Sequence, residues 1–555
     1  MMKPLVPRLS DLFLNAAGRA CPAPTPRPCR GEGVPSGSLA LAPRAPRGQG
    51  RDYAVTPLVV CVILAAVPGG FLRAQEPGSQ GAGTFRGMVR LNRAPVSNEV
   101  LKVKLPRPVE RQLPNGLKLV ILESHRAPTI TLTIEIPSSY LRDPEGLPGV
   151  AEATAALMTL GTTSRTARQI SEALGDIGAT LTISAGGGGG GGGRGGGGGA
   201  AGSASGGSGT ITLSSLTENF DAALALLTDV LLHPSFPADE FEKWKSRQRS
   251  ALEQARTQPA MLANEQVMKV LYAGDPRQFT RLTAQSLDKI TRQNLVDHYK
   301  KYYVPSGELA GIVGDITARD AAAKLQKALS GWKGGPIQPL TLPINPPIAE
   351  KKVYLVSRPG SVQTYLTLAN RAIERTSPDY IACMVMNQVL GSGPAARLFR
   401  IIREEKGYTY GVSSSFNATR YNQQFSSSMS VRTEVTEPAL ADLLKEFRDI
   451  RDVTVPQLEL EGAKRTLVAS FALGLESPAG VLSRWLQQRE YGLPADYWDT
   501  YTEKIMAVTA ADVARVAKKY VPYDNVQIIA VGDGAKIGEL LKKFGPVMEV
   551  AADAN

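Results

Sequence analysis

Apolar and polar positions alternate through the first part of the chain's longest ordered-looking stretch. Arg111–Leu122 alternates on both sides of Asn115-Gly116, a dipeptide suited to the left-handed backbone of a tight turn, and so predicts a β-hairpin. Thr129–Ile136 is rich in β-branched residues and predicts a strand. From Pro148 to Leu160 the pattern changes to an alanine-rich helix with a proline near its first turn. Further helices are expected at about 165–175, 217–232, 238–257 and 259–272. The same order of strands and helices recurs after Lys351. Strands followed by helix pairs, without regular βαβ alternation, predict α+β domains built on largely antiparallel sheets with flanking helices.

The recurrence extends to the residues themselves. Thr291–Pro305 (TRQNLVDHYKKYYVP) returns as Thr509–Pro522 (TAADVARVAKKYVP), and each copy leads into an apolar strand ending in Val-Gly-Asp, at Val313-Gly314-Asp315 and Val531-Gly532-Asp533. The offset is 218 residues at Thr291 and 219 at Pro237/Pro456 and Pro259/Pro478. A period of that length means a duplicated domain rather than a solenoid. The expected divisions are a first domain over 100–333, a proline-rich linker over 334–350, a second domain over 351–547 and a short tail, 548–555. Five prolines between Gly334 and Pro347 make the linker extended and semi-rigid.

Two segments fall outside this plan. Of the 24 residues from Gly186 to Gly209, 17 are glycine, and this insert lies where the first domain should have a hairpin, putting a regular hairpin there in doubt. It reads as a disordered insertion, with a mobile lid as the alternative. It is not a phosphate loop, because no Gly-Lys-Ser/Thr follows. Near the N-terminus, Pro57–Leu72 is apolar, follows Arg47 and Arg51, and ends in Leu72-Arg73-Ala74. That pattern predicts an export signal over 51–74, cleaved near Ala74, with an uncleaved anchor as the alternative, and a location in the periplasm or cell envelope. Residues 1–50 are rich in Pro, Arg and Gly and read as a disordered prefix that a start codon further downstream would remove; 75–99 read as linker.

Charge adds little. The formal net charge of +12 is half accounted for by residues 1–74, which hold nine Lys and Arg against three Asp and Glu. No dense basic cluster with interleaved aromatics follows, which argues against nucleic-acid binding. Cys21, Cys29 and Cys61 fall before Ala74, leaving Cys383 in the apolar run Ile381–Met386 as a buried thiol without an internal disulfide partner. The three histidines, His125, His233 and His298, are far apart and read as surface or packing residues.

The helix Gly149–Thr162 reads GVAEATAALMTLGT and is preceded by Arg142-Asp143-Pro144-Glu145-Gly146. In this setting it resembles the zinc-binding helix of the insulinase-like M16 metallopeptidases. That helix normally carries His-x-x-Glu-His, and the ungapped match puts Glu152, Ala155 and Ala156 at those three positions. Residues at i, i+3 and i+4 share a helix face, so the face is the right one, but methyl groups neither ligate zinc nor activate water. The family's third ligand, a glutamate on a later helix, falls at Ala251; Glu253 is two places along and points elsewhere. Glu152 by itself reads as facing solvent or a partner.

A second signature is retained. Leu390–Val412 (LGSGPAARLFRIIREEKGYTYGV) resembles the family's second-domain motif: a glycine-rich turn, a helix with Arg-Leu-Phe, then Arg-Glu-x-x-Gly-x-x-Tyr. The resemblance implies that Arg403 and Tyr410 reach a partner's zinc site and donate hydrogen bonds to substrate, with Arg397 as a third candidate otherwise placed in packing or an ion pair. It spans about 100–545 and implies two M16-type domains forming one half of a clamshell. The implied function is that of a non-catalytic subunit of an exported heterodimeric zinc peptidase, inactive alone, with no cofactor of its own, zinc in the partner and peptide as substrate. The alternatives are a scaffold protein using the M16 fold and a lone peptide-binding protein.

Overall fold

Alternation along 109–136 becomes a hairpin and a central strand. β3 (Val109–Gln112) and β4 (Lys118–Glu123) pair antiparallel around Gly116, whose φ of 92° suits the turn. β5 (Thr129–Ile136) has the predicted bounds. The computed structural model describes residues 84–85, 88–89, 102–186, 207–279, 281–305, 307–421 and 423–551. The expected prefix and signal, and residues 187–206 of the glycine-rich insert, lie outside them. Met1–Pro95 and Val96–Asn555 are separate units. In the first, β1 (Thr84–Phe85) and β2 (Met88–Val89) form a short antiparallel ladder within the expected linker.

The second unit contains two sheets, each with its own helices. The first has the order β3-β4-β8-β5-β7-β6, completed by β6 (Thr180–Ser184), β7 (Gly209–Leu216) and β8 (Leu309–Gly314). The second has the order β11-β12-β10-β13-β9-β14, from β9 (Lys352–Ser357), β10 (Gln363–Arg371), β11 (Thr409–Ala418), β12 (Gln423–Arg432), β13 (Gln527–Gly532) and β14 (Val547–Val550). Read from opposite ends, five strands correspond one to one, including the parallel pairs β4–β8 and β9–β13. The sixth differs: antiparallel β3 edges the first sheet, whereas β14 runs parallel to β9 in the second. The sheets are mixed, with antiparallel pairings in the majority as expected, and the duplication is visible in strand order as well as in sequence.

The helices repeat too. α1 (Val150–Met158), α2 (Ala167–Asp176), α3 (Phe220–Leu232), α4 (Ala238–Arg256), α5 (Pro259–Leu271), α6 (Ala284–Lys289), α7 (Arg292–Tyr302) and α8 (Ala318–Ala328) belong to the first repeat. The second has α9 (Tyr380–Leu390), α10 (Thr436–Asp452), α11 (Gln457–Leu473), α12 (Pro478–Glu490), α13 (Tyr501–Ala507), α14 (Ala510–Tyr520) and α15 (Gly534–Leu541), with a π-helical segment, Phe399–Glu405, where the first has α2. The repeated threonines have a physical role: Thr291 and Thr509 each close a capping box with the side chain three residues on, Asn294 and Asp512.

Central strands are buried on both faces, and the two faces meet different helices. In β4, Leu119 and Ile121 join the core of the first repeat, while Val120 and Leu122 pack with Trp485 and Leu486 of α12, a helix of the second. In β13, Ile528 and Ala530 face their own core, while Ile529 and Val531 meet Leu262, Val267 and Leu271 of α5 from the first. Each repeat thus lends one helix to cover the other's sheet. Gly311 permits the close approach: a Cβ there would stand 2.9 Å from the Leu486 side chain.

The linker is pinned where Asp275, buried to 1% exposure, is held by Arg277. The same guanidinium donates to the carbonyls of Pro343 (2.8 Å) and Tyr421 (3.1 Å) and to Asn345 Oδ1 (2.8 Å). Around the insert, the doubt about a hairpin is resolved: β6 and β7 pair in register from Thr180↔Ser214 to Ser184↔Thr210, so the insert leaves and rejoins at the hairpin's end.

Candidate functional site

α1 starts from a strained but well-filled corner. Gly149 has φ 104°, and a Cβ there would lie 2.3 Å from Leu282 Cβ, so only glycine fits. The cap comes from six residues back: Asp143 accepts from the backbone N–H of Gly149 (2.6 Å) and of Ala151 (2.7 Å), serving the unpaired N–H groups of the first turn. This explains the Asp143-Pro144-Glu145-Gly146 lead-in as helix-starting machinery.

The three metal-motif positions divide by burial. Ala155 is buried, Ala156 half-buried and Glu152 exposed. Glu152 reaches solvent, yet enough protein surrounds it to push its carboxyl above the usual range, against the pull of Arg281. Arg281 in turn donates to Glu265 Oε2 of α5 (2.9 Å), whose other oxygen lies 3.0 Å from Lys269 Nζ. On α4, Ala251 and Glu253 both face solvent, whereas Leu252 packs against the core. Two methyl groups, one carboxylate and a neighbouring guanidinium do not form a zinc donor set. Among the described residues, no group of three or more His, Cys, Asp and Glu is placed to hold a metal ion.

The histidines have other partners. His125 Nδ1 lies 2.6 Å from Asp315 Oδ1, and His233 Nδ1 lies 3.6 Å from Asp229. His298 is buried, with Nε2 2.9 Å from Ser138 Oγ; burial, with Lys301 and Arg142 nearby, pushes its pKa down to about 3 and keeps it neutral. The Cys383 thiol is buried and pushed up to about 12, which makes it a packing residue rather than a nucleophile.

The second-domain signature is built with care. At its start, Gly391 approaches β11 so closely that a Cβ would lie 2.2 Å from Ser414 Oγ. Asn387 clips the turn to the strand: its Nδ2 donates to the Ser414 carbonyl (3.0 Å), and its Oδ1 accepts from Ser414 Oγ (2.7 Å). Arg397 is buried and forms a two-pronged pair with Glu459 of α11, at 2.8 and 2.7 Å, which is the ion-pair placement. The π-helical turns that follow carry Arg403, exposed and lying 4.4 Å over the Phe399 ring. Gly407, with φ 64°, then ends the helix.

β11 is an edge strand, and its pairing with β12 is irregular between Thr409 and Val412. Thr409 Oγ1 accepts from the Gly411 N–H (3.1 Å) and donates to the Ser430 carbonyl (2.7 Å), stabilising a bulge. Bulges re-aim side chains, and this one turns Tyr410 outward to 92% exposure. Tyr410 therefore has no part in the core. Sequence could not show the bulge, which depends on the partner strand's register.

Comparison with known proteins bears on the family and the fold. Residues 119–284 match the family described as "Insulinase (Peptidase family M16)", and 289–467 match "Peptidase M16 inactive domain". The chain belongs to the M16 family and, among the described residues, has no cluster placed to hold a metal ion. It is 24% identical over 330 residues to a Helicobacter pylori protein named "Non-peptidase homolog YmxG", covering 59% of this chain and 75% of that one. It is 23% identical over 442 residues to a "Probable mitochondrial-processing peptidase subunit beta" of Arabidopsis thaliana, covering 76% and 77%. Among solved structures, a peptidase M16 inactive domain from Pseudomonas fluorescens superposes with a TM-score of 0.68 at 26% identity, over 77% of this chain and 98% of that one.

Proposed function

We propose that this chain is the non-catalytic subunit of a heterodimeric M16 zinc peptidase. In this reading it supplies one half of a clamshell chamber and presents Arg403 and Tyr410 to peptide held at the zinc site of a separate partner chain. Tyr410 carries the reading: a phenol 92% exposed on a bulged edge strand gives its own fold almost no packing. Arg403, also exposed, is held over Phe399 with its fork available. A guanidinium and a phenol suit the negative charge that develops on a peptide carbonyl under attack. We place the protein in the periplasm or cell envelope on the strength of the Pro57–Leu72 segment.

The test mixes this chain with the His-x-x-Glu-His chain that co-purifies with it and follows cleavage of a fluorogenic peptide. Mixing is expected to raise activity, and Arg403→Ala to lower kcat/KM by about a hundred-fold. A zinc-bearing chain that cleaves equally well alone, or a mixture indifferent to Arg403→Ala, refutes the proposal. Stable assembly without any gain in cleavage would instead favour a scaffold, and peptide binding by the monomer a lone binding protein.

A further inference from the structure

The two repeats treat one corner of their fold differently. In the first, α4, α5 and the following loop leave a cavity of only about 30 Å³, whose charges are paired: Glu265 holds both Arg281 and Lys269. In the second, the corresponding helices α11 and α12, with α9 and the end of β11, enclose about 350 Å³. Applying the 219-residue offset, Phe471 replaces Leu252 and Arg484 replaces Glu265 as lining residues. The charge at that position is reversed.

This second cavity combines two guanidinium groups with aromatic walls. Arg375 is only 7% exposed; its NH1 donates to Tyr497 Oη at 2.8 Å, and its plane lies 4.0 Å over the Tyr380 ring. Arg484 lies 5.1 Å over Trp498 and 5.7 Å over Phe471. Among the described residues, neither arginine forms an ion pair with a carboxylate; the groups acting on Arg375's charge are phenols, those of Tyr380, Tyr497 and Tyr501. A buried guanidinium held by ring faces and one hydroxyl has no carboxylate partner of its own among the described residues, and an anion in the cavity would supply one. The size falls in the range of small-ligand sites, and the walls suit an apolar or aromatic body.

We infer that this pocket of the second repeat binds a carboxylate carried on an aromatic or apolar group, with Arg375 and Arg484 engaging the carboxylate and Tyr380, Phe471 and Trp498 the body. Such a group is presented by a free aromatic acid and by the C-terminal residue of a peptide. The site needs no partner chain, so its failure would leave the pairing proposal intact, and the reverse.

The test is calorimetric titration of the protein alone with 3-phenylpropionate, and with a short peptide ending in phenylalanine. 3-Phenyl-1-propanol and the peptide's C-terminal amide serve as neutral counterparts. At least one acid is expected to bind saturably, its neutral counterpart to bind about ten-fold more weakly or worse, and Arg484→Gln to weaken the acid by at least about ten-fold. Which acid binds identifies the source. Absence of saturable binding by either acid up to about 1 mM overturns the inference. So does equal binding of acid and neutral counterpart, a comparison made on the unaltered protein that requires no variant to fold. Indifference to Arg484→Gln in a variant with unchanged circular dichroism overturns it as well.

Discussion

Arg277 gathers a buried carboxylate, two backbone carbonyls and an asparagine side chain, so its removal strips Asp275 of its ion-pair partner and leaves it the backbone N–H of residue 277. Arg277→Ala is expected to destabilise the fold by about 3–5 kcal/mol in urea unfolding, well beyond an exposed ion pair. Asp379 gives a pH signature. Its oxygens accept from Arg515 (2.6 Å), Lys519 (3.0 Å) and Tyr520 (2.9 Å), and the Arg515 hydrogen bond above all lowers its pKa from 3.8 to about 2. A depressed carboxyl contributes stability that is fully present above its unfolded value and lost as pH falls through the folded one. Its contribution should therefore fade between about pH 4 and pH 2, and in acid titrations followed by circular dichroism Asp379→Asn should lower stability at neutral pH while flattening that part of the curve. At Gly149 the backbone and Leu282 both exclude a side chain, so Gly149→Ala should cost at least about 2 kcal/mol. The inertness of Ala155 and Ala156 was legible in the sequence, because a methyl group offers no donor wherever it sits. Sequence could not show Arg277 or the Arg375 pocket, whose partners lie up to about 150 residues away in the chain.

Among the elements, repeat order and helix positions were legible from periodicity and from the 218–219-residue offset; β5 has its predicted limits, and α4 and α5 end within one residue of theirs. The helix exchange was not legible. Runs such as LVIL in β4 and QIIAV in β13 announce burial on both faces but not which helix covers each. Trp485 is the anchor of that exchange, buried against β4 with its indole N–H donating to the Pro106 carbonyl (2.9 Å). Trp485→Ala should cost about 3–5 kcal/mol, although the residue belongs to the second repeat and the sheet it covers to the first. Scanning calorimetry should show the two repeats melting in a single transition, and a fragment ending in the linker should bind hydrophobic dyes rather than fold cleanly. Two separate transitions in the intact chain would contradict this coupling.

At the scale of the molecule, the M16 plan is present while the described residues hold no cluster of metal donors. α1 explains how both are possible. Its buried residues, among them Val150, Ala153, Leu157 and Met158, hold the helix in the core, and alanine at 155 and 156 fits that packing, while Glu152 is exposed. The helix exchange also sets an order for folding. β8 completes the first sheet at Gly314, but α12, its cover, begins only at Pro478, roughly 160 residues later. Until α12 is present to dock, Val120, Leu122 and Val313 remain uncovered. The first repeat alone would carry an open apolar face, so the two repeats reach the native state together rather than in turn.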